Sequence, residues 1–381
     1  MTGRMADKWK RVRLGDAATF VNGMAFKPTD WDTTGLPIIR IQNLTEGRSE
    51  IHYFSGSCPE KYLVNQGDVL ISWSATLGVY IWNNEKAVLN QHIFKVVFDK
   101  LEFDKRYFVY IVGQKINEMS QNTHGSTMKH IIKKYFDAIE IPLPPLDEQK
   151  RIADVLDKAS ELIKKRKEQI RLMDQLAKSL FIEMFGDPVE NPMGWDVKPL
   201  RQVTTKIGDG LHGTPEFDDD GQYFFINGNN LEKGKIVITN STNRVSYTEY
   251  VKYKIDLTER SLLVSINGTL GKTAFYANEN VILGKSACYC NLSDEINNCF
   301  AYSIIHSEYF VNYAMKASTA STIRNVSLHS MREFPVPLPP LSLQNEFADR
   351  IDAIEQQKAL LQDGLAKMET AYKALMQEYF G

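Results

Sequence analysis

The sequence predicts an α+β fold in which two similar β-rich domains are joined by two long antiparallel coiled-coil helices, arranged as a pseudo-two-fold internal repeat. Residues 139–186 return without a gap as residues 334–381, with 15 of 48 aligned positions identical. Both copies carry apolar residues at coiled-coil spacing, and a stretch of short apolar runs precedes each copy. A chain that repeats such a unit presents two similar surfaces at a fixed separation.

Composition and charge limit the class of protein. The 381 residues, of which 43% are hydrophobic and 24% charged, are typical of a globular chain with more than one domain. The absence of a long apolar run and of a signal peptide predicts a cytoplasmic protein without membrane contact, and four cysteines fit that reducing setting. A net charge of −2 disfavours wrapping of nucleic acid by this chain unaided, but it permits local base contacts beside a basic partner subunit.

The first domain is assigned to residues 1–141. The runs LPIIRIQNL, GDVLISWSATLG and HIFKVVF are rich in β-branched and aromatic residues and are bounded by Gly, Asn or Asp, which predicts short strands and turns. Residues 104–121 carry apolar residues at helical spacing and predict a helix.

The first spacer helix is assigned to residues 142–188. Pro142, Pro144 and Pro145 hold the chain extended, so the helix is expected to begin near Asp147. Apolar residues then recur at alternating spacings of four and three, interrupted by Arg166 in this copy and by Lys358 in the second. The residues expected to pair the helices are Ile152, Leu156, Ile163, Arg166, Ile170, Leu180, Phe347, Ile351, Lys358, Leu361, Leu365 and Leu375. About 33 residues would make a rod of roughly 50 Å.

The second domain is assigned to residues 189–336 and the second spacer helix to residues 337–381. The run IRIQNL at 39–44 corresponds to FINGNNL at 225–231, and DVLISWSATLG at 68–78 corresponds to SLLVSINGTLG at 261–271. The duplication therefore covers nearly the whole chain, and the domains have diverged further than the helices.

The order of these motifs resembles the specificity subunit of type I restriction–modification enzymes. The resemblance rests on PLPPL followed by glutamine in both copies, on FGDP at 185–188, on GDVLISWSATLG and on DGLHGTP at 209–215. It implies that each domain is a target recognition domain for one half of a bipartite double-stranded DNA sequence. It also implies that the helices form the spacer and the docking surface for two methyltransferase subunits.

Cofactors and catalysis would then belong to the partners. The resemblance implies that the methyltransferase subunits bind S-adenosylmethionine and that restriction subunits use ATP and Mg. This chain is expected to be a non-catalytic subunit without a cofactor of its own.

Candidate base contacts are polar side chains in predicted loops, because Arg, Lys, Asn, Gln, Ser and Thr read base edges. In the first domain they are Asn22, Lys27, Arg40, Gln42, Asn43, Ser72, Trp73, Ser74, Thr76, Asn90, Gln91, His92, His124, Ser126, Thr127 and Lys129. In the second they are Lys206, His212, Thr214, Asn227, Asn229, Asn230, Asn267, Thr269, Lys285, Ser286, Ser321, Thr322 and Arg324. Clusters at matched positions differ in identity, which predicts an asymmetric target.

Alternative interpretations remain open at this point. Each polar residue taken alone fits a turn or a helix cap as well as a base contact. The basic run 164–167 fits a solvated helix face or a contact with phosphate or an acidic partner. The whole chain also fits a coiled-coil scaffold whose two β-rich modules bind protein or peptide.

Other motifs carry little chemistry. Cys288 and Cys290 lack further ligands at zinc spacing and are expected to be buried strand residues. GTLGKT at 268–273 is too short for a phosphate-binding loop and predicts a strand–turn–strand, while Asp218–Asp220 predicts a solvated turn. No metal site and no catalytic residue are expected, since His212 has neither a nucleophile nor a paired carboxylate nearby in sequence.

Overall fold

The computed structural model of the protein describes residues 5–45, 50–122, 133–318 and 324–381. The chain forms two compact units. The first unit combines Met1–Glu168 with Asp363–Gly381, and the second comprises Gln169–Gln362. Each long helix is therefore shared between the two units.

The described residues of the first unit form short strands and α-helices before the chain enters the second unit. The strands are β1 (Arg11–Arg13), β2 (Thr19–Asn22), β3 (Leu36–Ile39), β4 (Tyr53–Phe54), β5 (Leu63–Val64), β6 (Val69–Ser72), β7 (Gly78–Ile81), β8 (Ala87–Leu89), β9 (Ile93–Val97) and β10 (Glu140–Pro142). The helices are α1 (Leu14–Ala17), α2 (Ile41–Leu44), α3 (Lys105–Asn122), α4 (Lys133–Asp137) and the long α5 (Leu146–Phe185). The helix expected at 104–121 is confirmed as α3.

The first unit has two four-stranded sheets, in the orders β2–β9–β6–β7 and β4–β3–β8–β5. All neighbouring strands are antiparallel except β3 and β8, which are parallel. A separate pair joins β1 to β10, so the start of the domain is hydrogen-bonded to the strand that leads into α5.

The second unit contains a similar set of elements. Its strands are β11 (Asp196–Pro199), β12 (Thr204–Gly208), β13 (Tyr223–Ile226), β14 (Leu231–Glu232), β15 (Lys235–Ile236), β16 (Arg244–Val245), β17 (Ser261–Ser265), β18 (Thr273–Phe275), β19 (Val281–Leu283), β20 (Ala287–Leu292) and β21 (Pro335–Leu338). Its helices are α6 (Tyr247–Tyr253), α7 (Asn298–Ile305), α8 (Glu308–Ala317), α9 (Leu328–Arg332) and the long α10 (Leu341–Phe380).

The sheets of the second unit are β12–β20–β17–β18, β16–β13–β19, β14–β15 and β11–β21. The first of these repeats the order β2–β9–β6–β7, and β13 and β19 form the parallel pair that corresponds to β3 and β8. The sheet with the parallel pair has three strands instead of four, and β14–β15 has no counterpart among the described residues of the first unit. The internal duplication expected from sequence is thus confirmed in its main sheet and its parallel pair.

The two long helices pack antiparallel within each unit. In the first unit, Lys167 of α5 lies 2.8 Å from Glu369 of α10. In the second unit, Lys358 of α10 lies 2.5 Å from Asp174 of α5. Each helix has 40 residues, and α5 begins at Leu146, one residue before the expected start.

The apolar stripe is most deeply buried near the helix ends. Ile152, Leu156 and Phe347 are fully buried, and Leu180 is 8% exposed. The remaining residues expected to pair the helices are all half-buried, namely Ile163, Arg166, Ile170, Ile351, Lys358, Leu361, Leu365 and Leu375.

Lys358 is accommodated within the apolar stripe because two carboxylates lie beside it. Its ammonium group donates to Asp174 and lies 3.4 Å from Glu355. Burial by itself would lower the pKa of Lys358, but the hydrogen bond to Asp174 and the charges of both carboxylates outweigh it and raise the pKa. A half-buried cation is thereby kept charged at the contact between two helices.

Arg166, the other interruption, lies against a glycine of the opposite helix. A Cβ at Gly364 would overlap with Nη1 of Arg166. Glycine is a poor helix former, so its presence in the middle of α10 is explained by the space that the guanidinium occupies.

We expect Arg166→Leu to raise the free energy of unfolding by about 1 kcal/mol, because a polar group in a coiled-coil seam fixes register at a cost in stability. The same change should loosen the register of the helix pair. Chemical denaturation measures the first effect, and disulfide trapping of engineered cysteine pairs across the seam measures the second. An unchanged trapping pattern would contradict the register role.

A buried glutamine fixes the start of α5 in the first unit. The side-chain amide of Gln149 donates to the carbonyl of Pro144 at 3.0 Å, and its Oε1 accepts from the backbone N–H of Asp104 at 2.9 Å. Asp104 immediately precedes α3. One side chain therefore joins the proline turn, the long helix and the start of α3.

Gln344 makes the same connections in the second unit, 195 positions later. Its amide donates to the carbonyl of Pro339, and its Oε1 accepts from the N–H of Asn297, both at 2.8 Å. Asn297 is the N-cap residue of α7. Gln149 is 1% exposed and Gln344 is fully buried, so these bonds form away from water.

Each long helix ends in a phenylalanine that packs into the core of one unit. In the first unit, Phe380 is fully buried, with its ring centroid 5.5 Å from that of Tyr107 of α3. In the second unit, Phe185 lies 4.9 Å from Phe300 of α7 and 5.1 Å from Phe347. Each unit thus buries the start of one long helix and the end of the other in its own core.

Candidate nucleic-acid interface

The segment after β3, which includes α2, is shaped by side-chain and backbone hydrogen bonds. The backbone N–H of Arg40 donates to Oδ1 of Asn43 at 2.9 Å, and the carbonyl of Ile39 accepts from Asn90 N–H at 3.3 Å. Asn43 is therefore used to shape the turn. Arg40 is left half-buried at the end of a paired strand.

The loop after β13 repeats this geometry with different side chains. The N–H of Asn227 donates to Oδ1 of Asn230 at 3.0 Å, and Oδ1 of Asn227 accepts from Asn229 N–H at 2.9 Å. Nδ2 of Asn230 donates to the carbonyl of Val237 at 3.0 Å. Asn227 and Asn230 are thus engaged in the turn, while the side chain of Asn229 is exposed.

A glycine brings a second segment against each of these loops. Met24 forms a parallel bridge with Asn90, and Leu211 forms the corresponding bridge with Gly284. The preceding Gly23 and Gly210 pass so close to backbone carbonyls that a Cβ at either position would collide with them. The segments around Asn22 to Lys27 and Asp209 to Thr214 are therefore held beside the strand ends.

A buried serine shapes a third loop in both units. Oγ of Ser72 donates to the carbonyl of Thr76 at 2.5 Å, and Oγ of Ser265 donates to that of Thr269 at 2.6 Å. Ser72 is fully buried and Ser74 is 7% exposed, so Ser72 acts as a turn anchor and neither residue offers much surface to a base. GTLGKT forms the turn between β17 and β18, as expected.

The other expected contacts differ in exposure. Exposed are Asn22, Lys27, Gln42, Thr76, Lys206, His212, Thr214, Asn229, Thr269, Lys285 and Arg324; half-buried are Arg40, Asn43, Trp73, Asn90, Gln91, His92, Asn227, Asn230, Asn267 and Ser286. His124, Ser126, Thr127, Lys129, Ser321 and Thr322 lie outside the described residues.

Several of these side chains are held by neighbours. Oγ of Ser286 accepts from the N–H of Gly228 at 2.9 Å, and Nη1 of Arg324 donates to Sδ of Met315 at 3.2 Å. The indole N–H of Trp73 donates to Oδ1 of Asn22 at 3.2 Å. Nε2 of His212 lies 2.8 Å from Oδ2 of Asp209, so the expectation that this histidine has no paired carboxylate nearby in sequence was wrong.

A stack of three side chains adjoins the Arg40 loop. The rings of Trp31 and His52 are 3.9 Å apart and within 7° of parallel. The guanidinium carbon of Arg40 lies 5.3 Å from the Trp31 ring centroid. Trp31 and His52 are not among the residues expected from sequence, because they are 21 positions apart and no local pattern connects them.

The second unit carries an uncharged cleft of about 150 Å³ beside the Asn229 loop. Its polar lining consists of amides and hydroxyls, from Asn227, Asn229, Asn230, Thr239, Ser241, Thr242 and Asn243. Sequence analysis did not select Asn243, whose only signal was its place in the polar run TNSTNR. Amides and hydroxyls without a net charge suit a base edge better than a phosphate.

The described ranges (5–45, 50–122, 133–318 and 324–381) offer little chemistry beyond binding. Within them, no group of three histidine, cysteine or acidic side chains is placed to hold a metal ion. None of their helices combines the length and apolar character of a membrane span. Cys288 and Cys290 are buried strand residues, as expected, and the hydrogen bond between the two thiols, together with burial, raises the pKa of Cys288.

The fold is shared with solved specificity subunits. The S subunit of a type I restriction–modification system from M. genitalium matches with a TM-score of 0.55 and 15% identity, over 98% of this chain and 96% of that one. A chain from a structure of type I system assembly and conformational transition matches with a TM-score of 0.61 and 16% identity, over 97% of both.

Sequence comparison agrees along the full length. The EcoBI specificity subunit of Escherichia coli is 23% identical over 98% of this chain and 86% of its own. The MjaVIII specificity subunit of Methanocaldococcus jannaschii is 24% identical over 98% and 92%. The family model for the type I restriction modification DNA specificity domain matches twice, at residues 6–172 and 192–370. These matches favour the specificity subunit over the scaffold alternative, and the chain belongs to the type I restriction–modification DNA specificity family.

Proposed function

We propose that the chain gives a type I restriction–modification complex its DNA sequence specificity by reading the two halves of a bipartite, asymmetric target. The observation that carries this proposal is a repeated frame with different side chains at matched positions. Asn43 and Asn230 make the same backbone bond in the two units, whereas Arg40 of the first is replaced by Asn227 in the second. Two different half-sites require a backbone frame that both units share and different side chains at the contact positions.

Partner subunits would supply much of the phosphate neutralisation and all of the catalysis. The net charge of −2 supports this division, because unaided binding of DNA calls for a basic surface. We infer that this chain is a non-catalytic subunit. S-adenosylmethionine would be bound by methyltransferase subunits, and ATP with Mg by restriction subunits.

The long helices would dock two methyltransferase subunits. Exposed apolar side chains on their outer faces support this, since such residues cost little at an interface but are unfavourable in water. They include Leu162, Leu172, Leu176 and Leu360, which are 54%, 44%, 48% and 68% exposed.

The helices are also proposed to set the unread gap between the half-sites. Inserting one heptad in both α5 and α10 should lengthen the gap by about three base pairs, because seven helical residues add about 10 Å. The measurement is the set of adenines methylated by the complex. Replacing the exposed residues of one heptad without changing its length is the control. A recognised gap that stays constant after insertion would contradict the spacer role.

The test of the whole proposal is co-expression with the cognate methyltransferase subunit and mapping of methylated adenines across the host genome. One split motif with two different halves and a constant gap is the expected result. A stable complex that yields no motif would overturn the proposal.

A further inference from the structure

Backbone hydrogen bonds join the segments that carry Trp31, His52 and Arg40. Asp32 N–H donates to the carbonyl of Tyr53 at 2.9 Å, and Ile38 N–H donates to that of His52 at 2.8 Å. These two bonds place the segments that carry the three side chains side by side. Arg40 directly follows β3 and His52 directly precedes β4, so the pairing of these strands helps to position the stack.

The guanidinium of Arg40 is held without being neutralised. No described carboxylate lies within ion-pair distance of it, in contrast to Arg106, which contacts Asp154 and Asp157 at 2.7 and 2.8 Å. Packing over the Trp31 ring leaves the N–H groups of Arg40 available in the plane of the guanidinium. The guanidinium of Arg40 therefore presents several hydrogen-bond donors in one plane, with its orientation restrained by the Trp31 ring.

We propose that Arg40 reads a guanine in the half-site of the first domain and that Trp31 is the positioning residue that aims it. This inference rests on the proposed DNA-reading function. A guanidinium fork matches O6 and N7 of guanine in the major groove with two hydrogen bonds. Stacking reduces the conformational freedom that Arg40 would otherwise lose on binding.

The second unit argues for a base contact over a phosphate contact. A phosphate contact serves every sequence, so a cation would be expected at the matched position of both units. The second unit instead has Asn227 there, with Oδ1 engaged in its own turn. The rings around β13 are arranged differently: Phe217 and Phe225 are tilted by 50° at 6.0 Å, and Tyr223 stacks on Tyr250 at 4.2 Å. The guanidinium of Arg244 lies over the Phe224 ring, but Arg244 belongs to β16 and does not occupy the position of Arg40. The position matched to Arg40 at the end of β13 therefore carries an uncharged amide.

The experiment compares methylation motifs of the co-expressed complex for Arg40→Ala, Arg40→Lys and Trp31→Leu. We expect Arg40→Ala to reduce discrimination at one G·C pair about 5- to 150-fold, the effect of losing one bidentate contact. Arg40→Lys should keep the charge and still lose most of that discrimination. Trp31→Leu should relax the same pair more weakly, and Trp31→Phe should restore it.

Two controls separate the possible outcomes. Asn229→Ala should change only the other half-site, and Lys86→Ala, at an exposed cation of the first unit that is not a candidate base contact, should leave base preference unchanged. If Arg40→Ala weakens methylation uniformly at an unchanged motif, Arg40 is a phosphate contact and the inference fails. It also fails if the relaxed pair is A·T, or if nothing changes. A wild-type complex without any split motif would instead refute the proposed function itself.

Discussion

Phe380→Ala is expected to destabilise the first unit, although residue 380 follows the whole of the second unit in sequence. Phe380 is fully buried against Tyr107, in the same core as Ile152 and Leu156. Removing a buried phenyl ring costs about 3–5 kcal/mol through lost burial and the cavity left behind. The free energy of unfolding of the full chain should fall by that amount.

Hydrogen exchange can place this effect within the molecule. Exchange should accelerate in α3, which carries Tyr107, and remain unchanged in α7. Phe185→Ala should give the reverse pattern, because Phe185 packs against Phe300 of α7. Leu360→Ala is the matched control on α10, since Leu360 is 68% exposed and its truncation should change stability little. Faster exchange in α7 after Phe380→Ala would contradict the assignment.

Gln344→Ala is expected to lower the free energy of unfolding by about 2–4 kcal/mol. The substitution leaves the carbonyl of Pro339 and the N–H of Asn297 without their partner, and each unsatisfied buried group costs about 1–3 kcal/mol. The start of α7 should then exchange its amide hydrogens faster.

Matched variants test whether the effect comes from these bonds. Gln149→Ala should produce the same loss at the start of α3, through the bonds to Pro144 and Asp104. Gln357→Ala removes an exposed glutamine from the same helix as Gln344 and should have an effect below about 0.5 kcal/mol. Equal losses from Gln344→Ala and Gln357→Ala would show that helix propensity, and not the buried bonds, is responsible.

The parts of the fold that follow from periodicity could be predicted from the sequence. Helix pairing depends on apolar residues three and four positions apart, so the stripe from Ile152 to Leu180 could be recognised locally. The gapless repeat also predicted a duplicated chain, and the two matches to the family model confirm the duplication. Even the interruption at Lys358 was visible, although its partner Asp174 lies on the other helix.

The sequence could not predict which polar residues shape a turn and which remain exposed. Asn227 and Asn229 look alike in sequence, but one amide is engaged in its own turn and the other is exposed. That difference depends on backbone geometry after a strand, which is set by pairing with β19 more than 50 positions away. The contact between Arg40 and Trp31 likewise depends on strand pairing.

The discontinuous first unit has a consequence for biosynthesis. Its core requires Tyr379 and Phe380, which leave the ribosome only after residues 169–362 have been made. While the second domain is being translated, the apolar surface around Tyr107 and Ile152 therefore lacks the side chains of Tyr379 and Phe380 that pack against it. Chaperones that bind nascent apolar segments would meet this surface, and a chain interrupted before residue 379 would keep it exposed.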